Sequence, residues 1–289
     1  MKKIFLSLIA AALLWSGCDN LENPYSYVKY RYMDEKYGPA PTFTFEAGMT
    51  KNVLVEEFTG HLCGFCPKST KLVNELDSVL GERMVTVSIH AGSLAQVSAP
   101  PFDTDYRNAV SNLYWGQLQG GFNPCARIDR QGGVSNFLWL DADNPNSWID
   151  IIQAAKNESP KAAVQLQADF VAEDNVINIH AASQFNENMS GQYALVVLLV
   201  ESHIISAQED YDQTPSEILE YEHKHVLRDA VTQAMGNFVV NQPKQGDVFA
   251  QSFTYPLPSN WVGENMTVVA YLIDQSSNEV VNSSEYELD

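Results

Sequence analysis

The stretch VLVEEFTGHLCGFCP, residues 53–67, decides how the chain is read: an apolar run gives way to two cysteines three apart and then to a proline. Residues 53–58 have the apolar continuity of a buried strand. The following PKSTKLVNELDSVL, residues 67–80, spaces Leu72, Leu76, Val79 and Leu80 along one helical face, and MVTVSIH at 84–90 reads as a second strand after Gly81. Strand, helix and strand predict a unit with a parallel crossover. Cys63 then lies where strand gives way to helix, near backbone N–H groups that stabilise a thiolate. Cys66, one turn on, is placed to attack a mixed disulfide formed at Cys63. Pro67 fits there because early helical N–H groups lack intrahelical partners.

Cys-x-x-C means different chemistry in a reducing cytosol and in an oxidising envelope, so the compartment matters. Residues 1–17 read as a bacterial secretory signal, with Lys2 and Lys3 as its basic start, Ile4 to Leu14 as its apolar run, and Ser16-Gly17 before Cys18. That run is too short to span a bilayer as a mature helix. Ser16-Gly17-Cys18 resembles the end of a lipobox, with Trp15 where an aliphatic residue is usual, so Cys18 is expected to carry acyl chains that hold the protein on a membrane. The 289 residues hold 17 basic against 36 acidic side chains, a formal net charge of −19. Such a surface repels nucleic acid, which is excluded as a partner. With 45% hydrophobic residues, the chain is folded and long enough for two ordinary domains.

Residues 18–48, polar and interrupted by Pro24, Pro39, Pro41 and Gly48, read as a tether without fixed order. A helix is expected over 103–118, a short strand ending near Leu140, and a last helix from Asn146 or Ser147 to about Asn157. Beyond Pro160 the pattern turns to strands, at 161–171, 176–183, 193–200, 248–255 and 267–273, which predicts an antiparallel β-sandwich.

The strand end carrying Cys63 and Cys66 resembles the thioredoxin superfamily. Glu57, six residues before Cys63, stands at the spacing of the buried acid that relays the resolving cysteine's proton there, and Asn123-Pro124 stands where that superfamily places a cis-proline facing the active disulfide. Leu62 and the Gly64-Phe65 dipeptide depart from the thioredoxin pattern, which leaves the direction of exchange open. A closer resemblance covers most of the chain. EFTG at 57–60, CGFCP at 63–67, IHAG at 89–92, Pro124 with Arg130, and HKHVLR at 223–228 are together similar to the twenty-eight-kilodalton outer-membrane lipoprotein family of Bacteroidetes. That resemblance implies an α/β thioredoxin-like domain over residues 49–159, an all-β immunoglobulin-like sandwich over 160–289 and an outer-membrane location.

The remaining residues carry alternatives. Alternation places Val53, Val55 and Glu57 on one face of the first strand and Leu54, Glu56 and Phe58 on the other, so one glutamate shares a face with apolar neighbours. A buried carboxyl there would have a raised pKa, suited to proton relay; a solvent-facing one would not. Cys125 is a core residue, a third redox partner, or a zinc ligand with Cys63, Cys66 and His90; lacking a second tight ligand pair, the chain is expected to hold neither metal nor cofactor. His61 reads as an exposed loop residue, and His223 and His225 as sandwich packing. Two functions stand. In one, Cys63, Cys66, Glu57 and Pro124 carry out thiol–disulfide exchange on envelope proteins while Asn123-Pro124 docks the substrate backbone. In the other, a surface lipoprotein binds a partner through the sandwich and the Cys63–Cys66 disulfide is structural.

Overall fold

The computed structural model describes residues 29–46, 48–140 and 146–288. The secretory signal and Cys18 lie outside them. After a single helical turn, α1 (Asp34–Tyr37), come β1 (Val53–Thr59), α2 (Cys66–Leu80) and β2 (Met84–His90). β1 and β2 pair in parallel, from Val53 opposite Met84 to Thr59 opposite His90. All seven residues of each strand are buried, because helices or other strands cover both faces, which is why their sequences are nearly continuous in apolar residues. α2 ends at Gly81, whose φ of +53° and N–H bond to the Asp77 carbonyl close the last turn.

α3 (Ala109–Gln117) is shorter than the helix expected over 103–118. Asn108 and Ser111 form a reciprocal cap, each side chain accepting the other's backbone N–H at 2.8 and 2.9 Å, and this cap stops the helix from extending toward Asp103. β3 (Cys125–Ile128) lies antiparallel to β1, β4 (Leu138–Trp139) pairs with β3, and α4 (Asn146–Lys156) follows as expected. α2 and α4 pack on one face of this sheet through Val73, Ile152 and Ala155, and α3 packs on the other through Val110 and Tyr114.

The rest of the chain is strand: β5 (Ala162–Val171), β6 (Val176–Phe185), β7 (Gln192–Glu201), β8 (Ile204–Glu209), β9 (Glu217–His223), β10 (Val226–Ala230), β11 (Asn237–Asn241), β12 (Val248–Pro256), β13 (Met266–Asp274) and β14 (Val280–Glu287). The sheet β12-β6-β5 faces β7, β13 and β14 across a core of Ile177, Ile179, Phe253, Leu195, Val197 and Val268. The expected change from helix to strand falls between Lys156 and Ala162, yet the main sheet runs across it in the order β14-β13-β7-β10-β2-β1-β3-β4, with β11 also on β7. β10 joins β2 in parallel at Val226 opposite Ser88.

A buried ion cluster ties the same two parts together. Arg130 donates to both carboxylate oxygens of Glu56 at 3.0 and 2.7 Å and to the Tyr271 hydroxyl at 2.7 Å, while Arg127 Nε lies 2.8 Å from Glu56. All three charged side chains are fully buried, and Tyr114 and Tyr271 present ring faces to the guanidinium groups. Residues 29–46 are not the orderless tether expected from their composition. Tyr30 packs on Tyr255 and Tyr32 on His180, with ring centroids 4.5 and 4.6 Å apart, and Met33 N–H donates to Thr254 Oγ1. Aromatic side chains fix this segment to the three-stranded sheet where its prolines alone favour extended chain.

Candidate functional site

Cys63 and Cys66 are joined in a disulfide. The helix expected over residues 67–80 begins at Cys66, one residue earlier. Cys63 lies in the preceding turn, its N–H donating to Gly60, and Cys66 is the first helical residue with Pro67 second, because a proline costs nothing where helical N–H groups are unpaired. Both cysteines are buried, at 2% and 1% exposure.

Glu57 is fully buried on the face of β1 that it shares with Val53 and Val55. Thr70 Oγ1 of α2 donates to one carboxylate oxygen at 2.6 Å and Ser88 Oγ of β2 to the other at 3.2 Å. Burial pushes its carboxyl up to about 7, and the two hydroxyl bonds only partly oppose the shift. Thr70 and Ser88 also wall a cavity of about 10 Å³ together with Cys66, His90, Gln208 and His223. That volume has room for no more than about one water molecule, so the cavity is too small to be a berth for substrate.

His90 and His223 close the far wall, their rings 5.4 Å apart with Tyr106 between and beside them. Burial holds both imidazoles neutral, His90 well below its usual range and His223 down to about 4. His223 therefore belongs to the disulfide's surroundings and not only to sandwich packing. His61 is likewise not an exposed loop residue: at 1% exposure it bonds the Gln96 carbonyl at 2.9 Å, and burial depresses its pKa.

The Asn123–Pro124 peptide is cis. The Asn123 side-chain amide donates to the carbonyls of Thr59 and Ala91, both at 2.9 Å, tying the ends of β1 and β2 together. Cys125 is a free thiol in the apolar core with Leu54 and Phe58, and burial pushes its pKa up to about 12. Among the described residues no three His, Cys, Asp or Glu side chains are grouped so as to hold a metal ion.

Two contributions escaped the sequence reading. Glu56 is buried too, its pKa held below the usual range because Arg127 and Arg130 outweigh the upward push of burial. The β8–β9 hairpin, some 145 residues further along the chain, lies over the cysteine turn: Gln208 Nε2 donates to the Cys63 carbonyl at 3.2 Å. Nothing local in residues 204–223 signals that contact.

The model of the outer membrane protein Omp28 family matches residues 112–288. The matched span begins after both cysteines of the disulfide. HBP35 of Porphyromonas gingivalis is 15% identical, the match covering 84% of this chain and 77% of that one with a TM-score of 0.64, a likeness of β-rich fold. A domain of the outer membrane lipoprotein Omp28 from the same organism is 20% identical, over 46% of this chain and 91% of that one, with a TM-score of 0.31. No curated protein sequence is a significant match. No helix among the described residues is long and apolar enough to cross a membrane.

Proposed function

The chain belongs to the Omp28 family of outer membrane proteins, and on that premise we propose that it exchanges thiols and disulfides with other envelope proteins through Cys63 and Cys66. In this reading residues 1–17 are removed and Cys18 carries the lipid anchor. Residues 49–159 form a thioredoxin-like domain, residues 160–289 an immunoglobulin-like sandwich, and the two share one sheet. With the pair reduced, the Cys63 thiolate attacks a substrate disulfide, and one substrate sulfur leaves as thiolate. Cys66 then loses its proton and attacks the Cys63 sulfur, so the second substrate sulfur leaves and the Cys63–Cys66 disulfide forms. Two electrons pass to the substrate; the same steps reversed oxidise a dithiol.

The observation that carries this reading is the shared cavity: Cys66 and the two hydroxyls that hold Glu57 wall one small space. A carboxyl titrating near 7 is matched to taking a thiol proton at envelope pH. The Asn123–Pro124 peptide is the proposed dock for the substrate backbone. Cys66→Ser should trap mixed disulfides with envelope proteins and Cys63→Ser none, while Glu57→Gln should slow resolution more than initial attack. Equal trapping by both variants, or no insulin reduction by the reduced wild type, rejects the proposal. The deep burial of both cysteines favours a second reading, a surface-binding lipoprotein in which the disulfide is structural.

A further inference from the structure

β8 and β9 form a two-stranded sheet of their own, with no ladder to either larger sheet among the described residues. The end of β8 and the turn after it lie along the loop that carries the disulfide. Glu209 N–H donates to the His61 carbonyl at 2.8 Å and Tyr211 N–H to the Gly64 carbonyl at 2.9 Å. These two bonds seat the end of β8 and the start of the following turn on the carbonyls of the cysteine loop, as the backbone of a bound peptide would be seated. Between them the Gln208 side chain donates to the Gly60 and Cys63 carbonyls at 3.3 and 3.2 Å.

The Tyr211 ring then covers Gly64, so closely that a Cβ there would come within 2.4 Å of it, and it meets Phe65 edge-on at 5.2 Å. Gly64, the first residue between the cysteines, is therefore small because something is laid over it. Phe65 and Tyr211 remain 63% and 58% exposed, so this cover is an outer contact and not a core one. An open groove of about 1010 Å³ runs beside it between α2 and the hairpin, from Pro67 past Asp210 to Tyr221.

We infer that residues 208–211 fill, within the same chain, a groove along residues 60–65 that receives an extended polypeptide bearing an aromatic side chain, which gains Cys63 only when the hairpin swings away. This rests on the exchange reading above, since it names the substrate class and the gate of the same site. Opening requires no strand of the main sheet to unpair, because β8 and β9 bond mainly to each other. The links to be broken are the four hydrogen bonds of Gln208, Glu209 and Tyr211 to residues 60–64 and, at the hairpin's base, the Tyr106 hydroxyl bond to Ser206 and the packing of His223 on His90 and Tyr106.

The test compares the rate at which a small phosphine reductant opens the Cys63–Cys66 disulfide of the full-length protein and its variants. Tyr211→Ala removes the aromatic cover and should raise the rate about five-fold, and Gly64→Ala, whose methyl displaces the ring, about ten-fold. Leu219→Ala, at a 62% exposed position on the same hairpin, should leave it unchanged. A synthetic peptide of residues 207–213 should slow reduction of Tyr211→Ala again, and its scrambled version should not. Unaltered rates in both opening variants, or equal protection by the scrambled peptide, overturn the inference. Insulin reduction separates it from the exchange reading. If the opened variants react faster with phosphine but no form reduces insulin, the gate stands and exchange falls. If the wild type reduces insulin and neither rate rises in the variants, exchange stands and the gate falls.

Discussion

Glu56 and Glu57 are consecutive residues on one strand, both fully buried, and they meet opposite electrostatic fates. Glu56 points to the side where Arg127 and Arg130 converge and is held ionised. Glu57 points to the side of α2, where the hydroxyls of Thr70 and Ser88 reach it, and burial raises its pKa to about 7. Depth alone thus does not determine a carboxyl's behaviour. A full opposing charge makes Glu56 a structural rivet, whereas neutral donors leave Glu57 able to take and give a proton near neutral pH.

The largest effect should come from breaking the charged side. Glu56→Gln leaves two arginines buried without their anion and should cost about 3–5 kcal/mol in a urea unfolding titration. A loss under about 1 kcal/mol would mean that the arginines find other partners.

The second effect should have the opposite sign. The unfolded chain ionises Glu57 near 4.5 whereas the folded chain keeps it protonated to about 7, so the wild type loses stability as pH rises across that window. Glu57→Gln should therefore be indistinguishable from wild type near pH 4 and more stable above pH 7, by on the order of 3 kcal/mol. Unfolding curves at the two pH values check it, and a gap independent of pH would show that Glu57 is not the titrating group.

Smaller effects sharpen the contrast. Thr70→Val removes the shorter of the two bonds to the carboxylate and should raise the Glu57 pKa by about one unit, read by carbon NMR of the labelled carboxyl. Ser88→Ala removes the longer bond and should raise it by about half as much.

What the sequence made legible follows from the range of the interactions. β1, α2, β2, α4 and the apolar strands β5, β6, β7, β12 and β13 are set by periodicity over a few residues, and each stands where that pattern places it. α3 begins late because the Asn108–Ser111 cap, a local signal of another kind, outweighs the helical texture before it. The burial of Glu56 was hidden because its partners are 71 and 74 residues away in the chain and a charged residue within a strand reads as solvent-facing. His61 and His223 were misplaced for the same reason, since the hairpin, Tyr106 and His90 that cover them arrive from three separate segments. The strands of that hairpin, IISAQE and EILEYEH, mix polar and apolar residues without a regular alternation, and nothing in them names the cysteine turn as their neighbour.

The joining of β10 to β2 has a consequence for how the protein folds. Ser88 and its partner Val226 stand 138 residues apart in the chain, so closing this contact carries the entropy cost of a long loop. Until it closes, β2 presents an unpaired flank of apolar strand, the kind of surface on which chains aggregate. Contacts of such separation slow folding, so the unfolded chain should depend on a holding chaperone for longer than its length alone would suggest.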